Sequence, residues 1–181
     1  DLEHKAAVKA GIPIHYETAA VSLIEEDGVV HGVIARHKGR KVRIGAKAVV
    51  LACGGFESNA EMRTRYLGPT WDLAKVRGTR FNTGAGINMA LAIGAKPHGN
   101  WSGGHAVGWD MNAPEFGDLD VGDNFQKHSY PLGIMVNANG LRFVDEGADF
   151  RNYTYAKYGR VILNQPGQFA WQIFDQKVVH L

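Results

Sequence analysis

Three runs rich in apolar residues, Ala19–Glu25, Val29–His37 and Lys41–Ile44, read as strands, because Asp27-Gly28 and Lys38-Gly39 between them are hairpin-turn dipeptides. Ahead of them, Leu2, Ala6, Val8 and Ala10 mark a helix that Gly11 ends. Lys47–Ala52 is a continuous apolar run, the pattern of a strand buried on both faces, and it leads into Cys53-Gly54-Gly55-Phe56. A helix over Asn59–Leu67 starts at Ser58 or Asn59 and stops at Gly68-Pro69. Another opens at Asn82-Thr83-Gly84-Ala85-Gly86, runs to Ile93 and stops at Gly94-Ala95. From Pro97 to Pro131 there is little periodicity, and so long an irregular stretch is either functional or disordered. Its Trp101 and Trp109 favour an ordered, functional segment. Beyond it, Leu132–Asn137 and Leu141–Asp145 predict a hairpin over Ala138-Asn139-Gly140, Asn152–Tyr158 a short helix and Ala170–Phe174 a strand.

Composition narrows the classes. The chain has 181 residues, about one domain's worth, with 45% hydrophobic and 21% charged residues, which excludes a disordered chain. Glycine, at 23 positions without a Gly-X-Y period, points to many special backbone conformations rather than collagen. A net charge of +2 gives no argument for a nucleic-acid partner. The single cysteine excludes a disulfide framework and a cysteine-based metal cluster. No apolar run approaches ~18 residues, so no transmembrane segment is expected. One cysteine and no signal peptide suggest a cytoplasmic setting. The chain opens at Asp1 inside a helix and closes at Leu181 directly after a strand, so it is expected to be an internal piece of a longer protein.

Three groups of residues could carry chemistry. Ala48–Gly55 is a buried-strand pattern ending in two glycines, which lets backbone approach a ligand at a sheet's carboxyl edge; a tight strand-to-helix turn is the plainer reading. Cys53 reads as a small buried residue, with a reactive thiol as the alternative. Thr83-Gly84-Ala85-Gly86 opens a helix with unpaired N–H groups, an anion site or simply a capped core helix. The third group is polar: His98, His105, His128, Arg142, Glu146, Arg151, Tyr153 and Tyr155. His98 and His105 could ligate metal but lack a compact ligand spacing, so no metal is expected. Arg142 and Glu146 read as a surface pair. Without G-x-S-x-G, nothing suggests a hydrolase nucleophile.

Several motifs in order resemble one family. Leu23-Ile24, Asp27-Gly28 and Val30-His31-Gly32-Val33 resemble the hairpin of FAD-dependent fumarate reductase and succinate dehydrogenase flavoproteins. Ala48–Phe56 is similar to that family's strand ending in Ala-Thr-Gly-Gly-Phe, with Cys53 in place of threonine. Thr83–Gly94 resembles its Thr-Gly-Asp-Gly helix, Gly133–Glu146 its Arg-Phe-Val-Asn-Glu hairpin, and Ile173-Phe174-Asp175 its Ile-Phe-Asp strand. The stretch Gly147–Gly159 resembles more particularly the tricarballylate dehydrogenase branch and CobZ-type precorrin-3B synthase flavoproteins.

The resemblance implies a mixed α/β fold: part of a Rossmann-like FAD-binding domain with an inserted β-meander over residues 1–97, and part of a capping, substrate-binding domain over 98–181. It implies an oxidoreductase moving hydride between a polycarboxylate and flavin, with an electron-transfer partner. FAD would contact Cys53, Gly54, Gly55, Thr83, Gly84 and Gly86. The family's N-terminal Gly-x-Gly-x-x-Gly unit is absent from the chain, so the isolated piece is expected to hold no flavin and to be a non-catalytic module. Arg151 is expected to be the proton donor and carboxylate clamp, and His105 to orient substrate. Two departures stand out. Ala85 replaces the usual acid of Thr-Gly-Asp-Gly, and Gln126 and Ser129 occupy the positions of the fumarate reductase proton relay, which argues for another proton path or the oxidative direction. A CobZ-like role in corrin biosynthesis is the alternative within redox enzymes.

Overall fold

The computed structural model describes residues 2–178 and His180. The elements mix helices with antiparallel sheets: α1 (Leu2–Lys9), β1 (Thr18–Glu26), β2 (Val29–His37), β3 (Arg40–Gly45), α2 (Ala60–Leu67), α3 (Ala85–Ala92), β4 (Gly133–Val136), α4 (Arg151–Leu163) and β5 (Trp171–Phe174). They fall into two compact units, Asp1–Gly55 with Gly84–Pro97, and Phe56–Thr83 with His98–Leu181.

In the first unit β1, β2 and β3 form an antiparallel meander. Both of its turns work as the sequence suggests. Asp27 and Gly28, and likewise Lys38 and Gly39, all take positive φ, the backbone that matches the twist of a tight hairpin. Gly32 is obligatory for another reason: a Cβ there would lie 2.1 Å from the carbonyl oxygen of Ile44 on β3. Ile24 and Ala35 are buried in the sheet and Met89 in α3, which packs against β1.

Lys47–Ala52 departs from the expected buried strand. It is assigned to no strand, and Val50 is 88% exposed. Among the described residues no strand runs beside it. Its backbone therefore has no ladder and its apolar side chains no covering layer, both of which a parallel strand requires. Cys53, read from the sequence as buried, is exposed for the same reason.

The second unit is built on Tyr130, Met135 and Tyr158, with Phe143, Val144, Tyr155, Val161 and Ile162 packed against them. The expected 132–145 hairpin shrinks to one bridge, Val136 to Arg142, and β4 pairs with β5 instead. Two side chains explain this. The Asn137 carboxamide oxygen accepts from the N–H groups of Asn139 and Leu141, tightening the turn. The Met135 N–H donates to the Glu146 carboxylate, which takes the place a second strand would occupy. Glu146 is 3% exposed and also receives the Arg142 guanidinium, so this is a buried carboxylate rather than a surface pair. Burial pushes its pKa up, but the Arg142 hydrogen bond and the Met135 N–H outweigh that and hold it below the usual carboxylate range.

The expected Asn152–Tyr158 helix is longer, running through Gly159 to Leu163. Gly159 belongs inside it because the chain at Ala106–Val107 lies against the helix there: an added Cβ would sit 2.3 Å from the Ala106 carbonyl. Ala106 N–H also donates to the Ala156 carbonyl at 3.2 Å.

Candidate functional site

The irregular stretch after Pro97 is ordered by contacts with distant segments. Gly104 lets the Trp71 ring approach to 2.8 Å of where a Cβ would stand, and Gly159 seats Ala106 and Val107 on α4. Trp71 is itself held by Arg63, a buried guanidinium whose Nε donates to the Trp71 carbonyl at 2.7 Å. The same guanidinium donates to the carbonyls of Glu57, Asp72 and Ala74. Burial lowers the Arg63 pKa, with Asp72 and Glu115 opposing. Further along, Lys127 N–H donates to Gly108 and Asp110 N–H to Phe125, so 108–110 and 125–127 run together. Lys127 Nζ reaches Asp110 at 3.0 Å.

The result is a cavity of about 350 Å³ in the second unit, lined among others by Arg77, Asp123, Gln126, His128, Arg151 and Tyr155. Arg77 reaches it because 76–78 pairs with 115–117, through Val76 N–H to Glu115 and Gly117 N–H to Gly78. It grips Asp123 with two hydrogen bonds, Nε to Oδ1 at 2.6 Å and Nη2 to Oδ2 at 2.5 Å. That pairing holds the Asp123 carboxyl below the usual range and raises Arg77. Arg151, by contrast, pairs with no carboxylate among the described residues: Asp149 accepts from the Phe150 N–H, and Glu146 is engaged by Arg142 and Met135. The Arg151 carbonyl accepts from the Tyr130 hydroxyl at 3.3 Å, fixing the start of α4.

His128 carries the one buried side-chain nitrogen or oxygen without a hydrogen-bond partner among the described residues, Nε2. Its ring lies 4.9 Å from that of Tyr155, and the His105 ring meets Tyr155 at 5.1 Å edge-on. Tyr155 thus stands between both histidines, one lining the cavity and the other, His105, exposed beside it. His98 is exposed, and Tyr153, 76% exposed, packs on Phe150. Among the described residues no group of three His, Cys, Asp or Glu converges as a metal site. No helix among them is long and apolar enough to cross a membrane.

The glycine segments also meet, within the first unit. Gly84 N–H donates to the Gly55 carbonyl at 2.9 Å, and a Cβ on Gly86 would stand 3.1 Å from the Cys53 Cβ and Sγ. Gly84 is left-handed at φ 80°, and no side chain caps α3, whose first-turn N–H groups are left for another partner. Exposed Cys53 and Gly54 border this bare backbone. Thr83 is exposed too, and its carbonyl accepts from the Asn59 side chain at 3.0 Å.

The sequence matches the FAD binding domain family over residues 3–178. The chain belongs to that family. It is 31% identical over 182 residues to a 3-oxosteroid 1-dehydrogenase of Mycobacterium tuberculosis, an alignment covering 93% of this chain and 31% of the relative. Its fold matches the open conformation of a flavocytochrome c3 fumarate reductase with a TM-score of 0.73 and 34% identity, over 96% of this chain and 29% of that one. A 3-ketosteroid Δ1-dehydrogenase from Sterolibacterium denitrificans in complex with 1,4-androstadiene-3,17-dione matches equally, at TM-score 0.73 and 26% identity, over 96% and 31% of the two chains. The chain therefore spans about three-tenths of the length of these relatives.

Arg77 and Asp123 escape sequence reasoning. They are 46 positions apart, and only the pairing of 76–78 with 115–117 brings them to one cavity. Arg63 lies within the helix expected over Asn59–Leu67, and nothing local in the sequence marks it as buried.

Proposed function

We propose that the intact protein is an FAD-dependent oxidoreductase acting on a polycarboxylate of the succinate, fumarate or tricarballylate kind, with this chain supplying flavin contacts and the substrate's carboxylate clamp. The observation that carries the substrate class is Arg151, a guanidinium without a carboxylate partner in a cavity whose lining is almost wholly polar. Of the lining residues only Val107 is aliphatic. A neutral steroid would cover Arg151 without giving it an anionic partner, a cost that an acid substrate avoids.

Bound FAD supplies two-electron chemistry, exchanging a hydride with a carbon next to a carboxylate. The residues present fit such a group: Cys53, Gly54 and Thr83 are exposed, Gly55, Gly84 and Gly86 carry no side chain, and no side chain caps the first turn of α3. In this reading 1–97 is flavin-binding and 98–181 substrate-binding, and electrons pass to a separate redox partner. Arg151 holds a substrate carboxylate with its planar fork and gives or takes the proton, re-equilibrating at once through neighbouring groups. His105, steadied by Tyr155, donates an imidazole N–H to a second substrate oxygen. The likeness of Gly147–Gly159 to the tricarballylate dehydrogenase branch supports tricarballylate as the acid. The same segment's likeness to CobZ-type flavoproteins keeps corrin biosynthesis as the second reading.

The test is flavin absorbance of the full-length protein. Bleaching by tricarballylate or succinate, and not by a 3-oxosteroid, is expected; the reverse pattern overturns the assignment. His105→Ala should raise KM for the acid several-fold, whereas unchanged kinetics would remove His105 from the site. Gly55→Val should yield protein without flavin, because an isopropyl group fills the space the backbone leaves open. Normal flavin occupancy in that variant counts against the glycine segments as the contact.

A further inference from the structure

We propose, resting on the reading that the cavity takes a carboxylate, that His128 is its proton-linked anion contact: neutral before substrate binds, it takes up a proton from solvent when a carboxylate enters beside Arg151. The geometry singles out this side chain. Its ring lines the cavity, packs on Tyr155 and holds the one buried side-chain nitrogen or oxygen without a partner among the described residues. Nε2 is closed to solvent, so the ring nitrogen left to take a proton and meet a ligand in the cavity is Nδ1.

The charges around it make protonation conditional. Arg151 and the Tyr155 hydroxyl come from α4, Arg77 from the segment paired with 115–117, Asp123 from the turn at Gly122–Phe125, and His105 from the loop seated on Gly159. Lys127, next in the chain, has its ammonium on Asp110. The Asp123 carboxylate is committed to Arg77. Two guanidiniums thus face His128 against one carboxylate already paired. Burial first, then Arg151, Arg77 and His105, hold His128 below the usual histidine range, with Asp123 opposing. A carboxylate clamped by Arg151 cancels the nearest repulsion and gives an imidazolium N–H an anionic acceptor.

Linkage sets the sign. A site that gains a proton on binding binds more tightly as pH falls, and the gain ends once His128 is protonated without ligand. Neutral ligands gain nothing from the change. The coupling also selects acids: a substrate must bring negative charge to the Arg151 side of the cavity to draw the proton in.

Calorimetry of succinate and tricarballylate binding to the full-length protein, in two non-anionic buffers of different ionisation enthalpy, reads the proton directly. Net proton uptake is expected near neutral pH, with affinity rising roughly tenfold from about pH 8 to about pH 6. His128→Asn, with His128→Gln as a second variant should the first not fold, keeps a polar side chain that cannot titrate, and should bind with no uptake and a flat pH profile. Binding without uptake in the wild-type protein, or uptake persisting in the folded variant, overturns the role of His128 and leaves the carboxylate cavity standing. No binding of either acid at either pH overturns both.

Discussion

Arg151→Lys in the full-length protein lowers kcat by orders of magnitude while flavin absorbance is retained. The expectation follows from what the guanidinium does that an ammonium cannot. Arg151 opens α4 with its carbonyl fixed by Tyr130 and its side chain on the cavity. A planar fork clamps a carboxylate through two parallel N–H bonds and keeps its plane, whereas lysine offers a point charge on a mobile stem. If the same group also moves the proton, the loss falls on kcat as well as KM. Activity within a few-fold of wild type would reduce Arg151 to a solvated cation at the start of a helix. Steady-state kinetics beside a flavin spectrum decide between the two.

Gly159→Ala should destabilise the protein, against the rule for its position. Replacing glycine by alanine inside a helix ordinarily gains about 0.5–1 kcal/mol. Here the new methyl would lie 2.3 Å from the Ala106 carbonyl and 2.5 Å from the Val107 nitrogen, both backbone atoms that cannot rotate away. Either α4 shifts or the 104–107 loop lifts, at a cost on the order of 2–3 kcal/mol. Because that loop carries His105 against Tyr155, KM for the acid should rise together with the fall in melting temperature. A variant as stable as wild type would mean that the loop does not depend on this contact.

Local signals were legible where the physics is local. Asp27-Gly28 and Lys38-Gly39 sit at positive φ because the tight turns of the meander demand it, so the sequence identifies the meander by itself. The same holds for α2, whose Asn59 side chain caps it by accepting from the Met62 N–H at 3.0 Å. The glycines at 84 and 86 announced a helix start, and the structure adds that Gly84 and Gly55 are hydrogen-bonded. The family, too, was readable in ordered motifs, because bare backbone at fixed places in a chain is written directly as glycine.

What depended on partners was not legible. Lys47–Ala52 has a strand's pattern but no neighbouring strand among the described residues, and pattern alone cannot supply a ladder. Leu141–Asp145 has strand residues as well, but Asn137 and Glu146 captured the N–H groups a hairpin would have used. The helix expected over Asn152–Tyr158 runs on through Gly159, and the reason for a glycine there lies more than fifty residues earlier in the chain, at Ala106. The cavity is the clearest case. Sequence named Arg151 and His128 as candidates by residue type, but the pairing of Arg77 with Asp123, which leaves Arg151 as the guanidinium without a carboxylate, exists only after distant segments close on one another. Turns, caps and glycine contacts are set by a few adjacent residues. Charge balance within a cavity is set by whichever side chains the fold brings within a few ångströms, and spacing along the chain does not encode that.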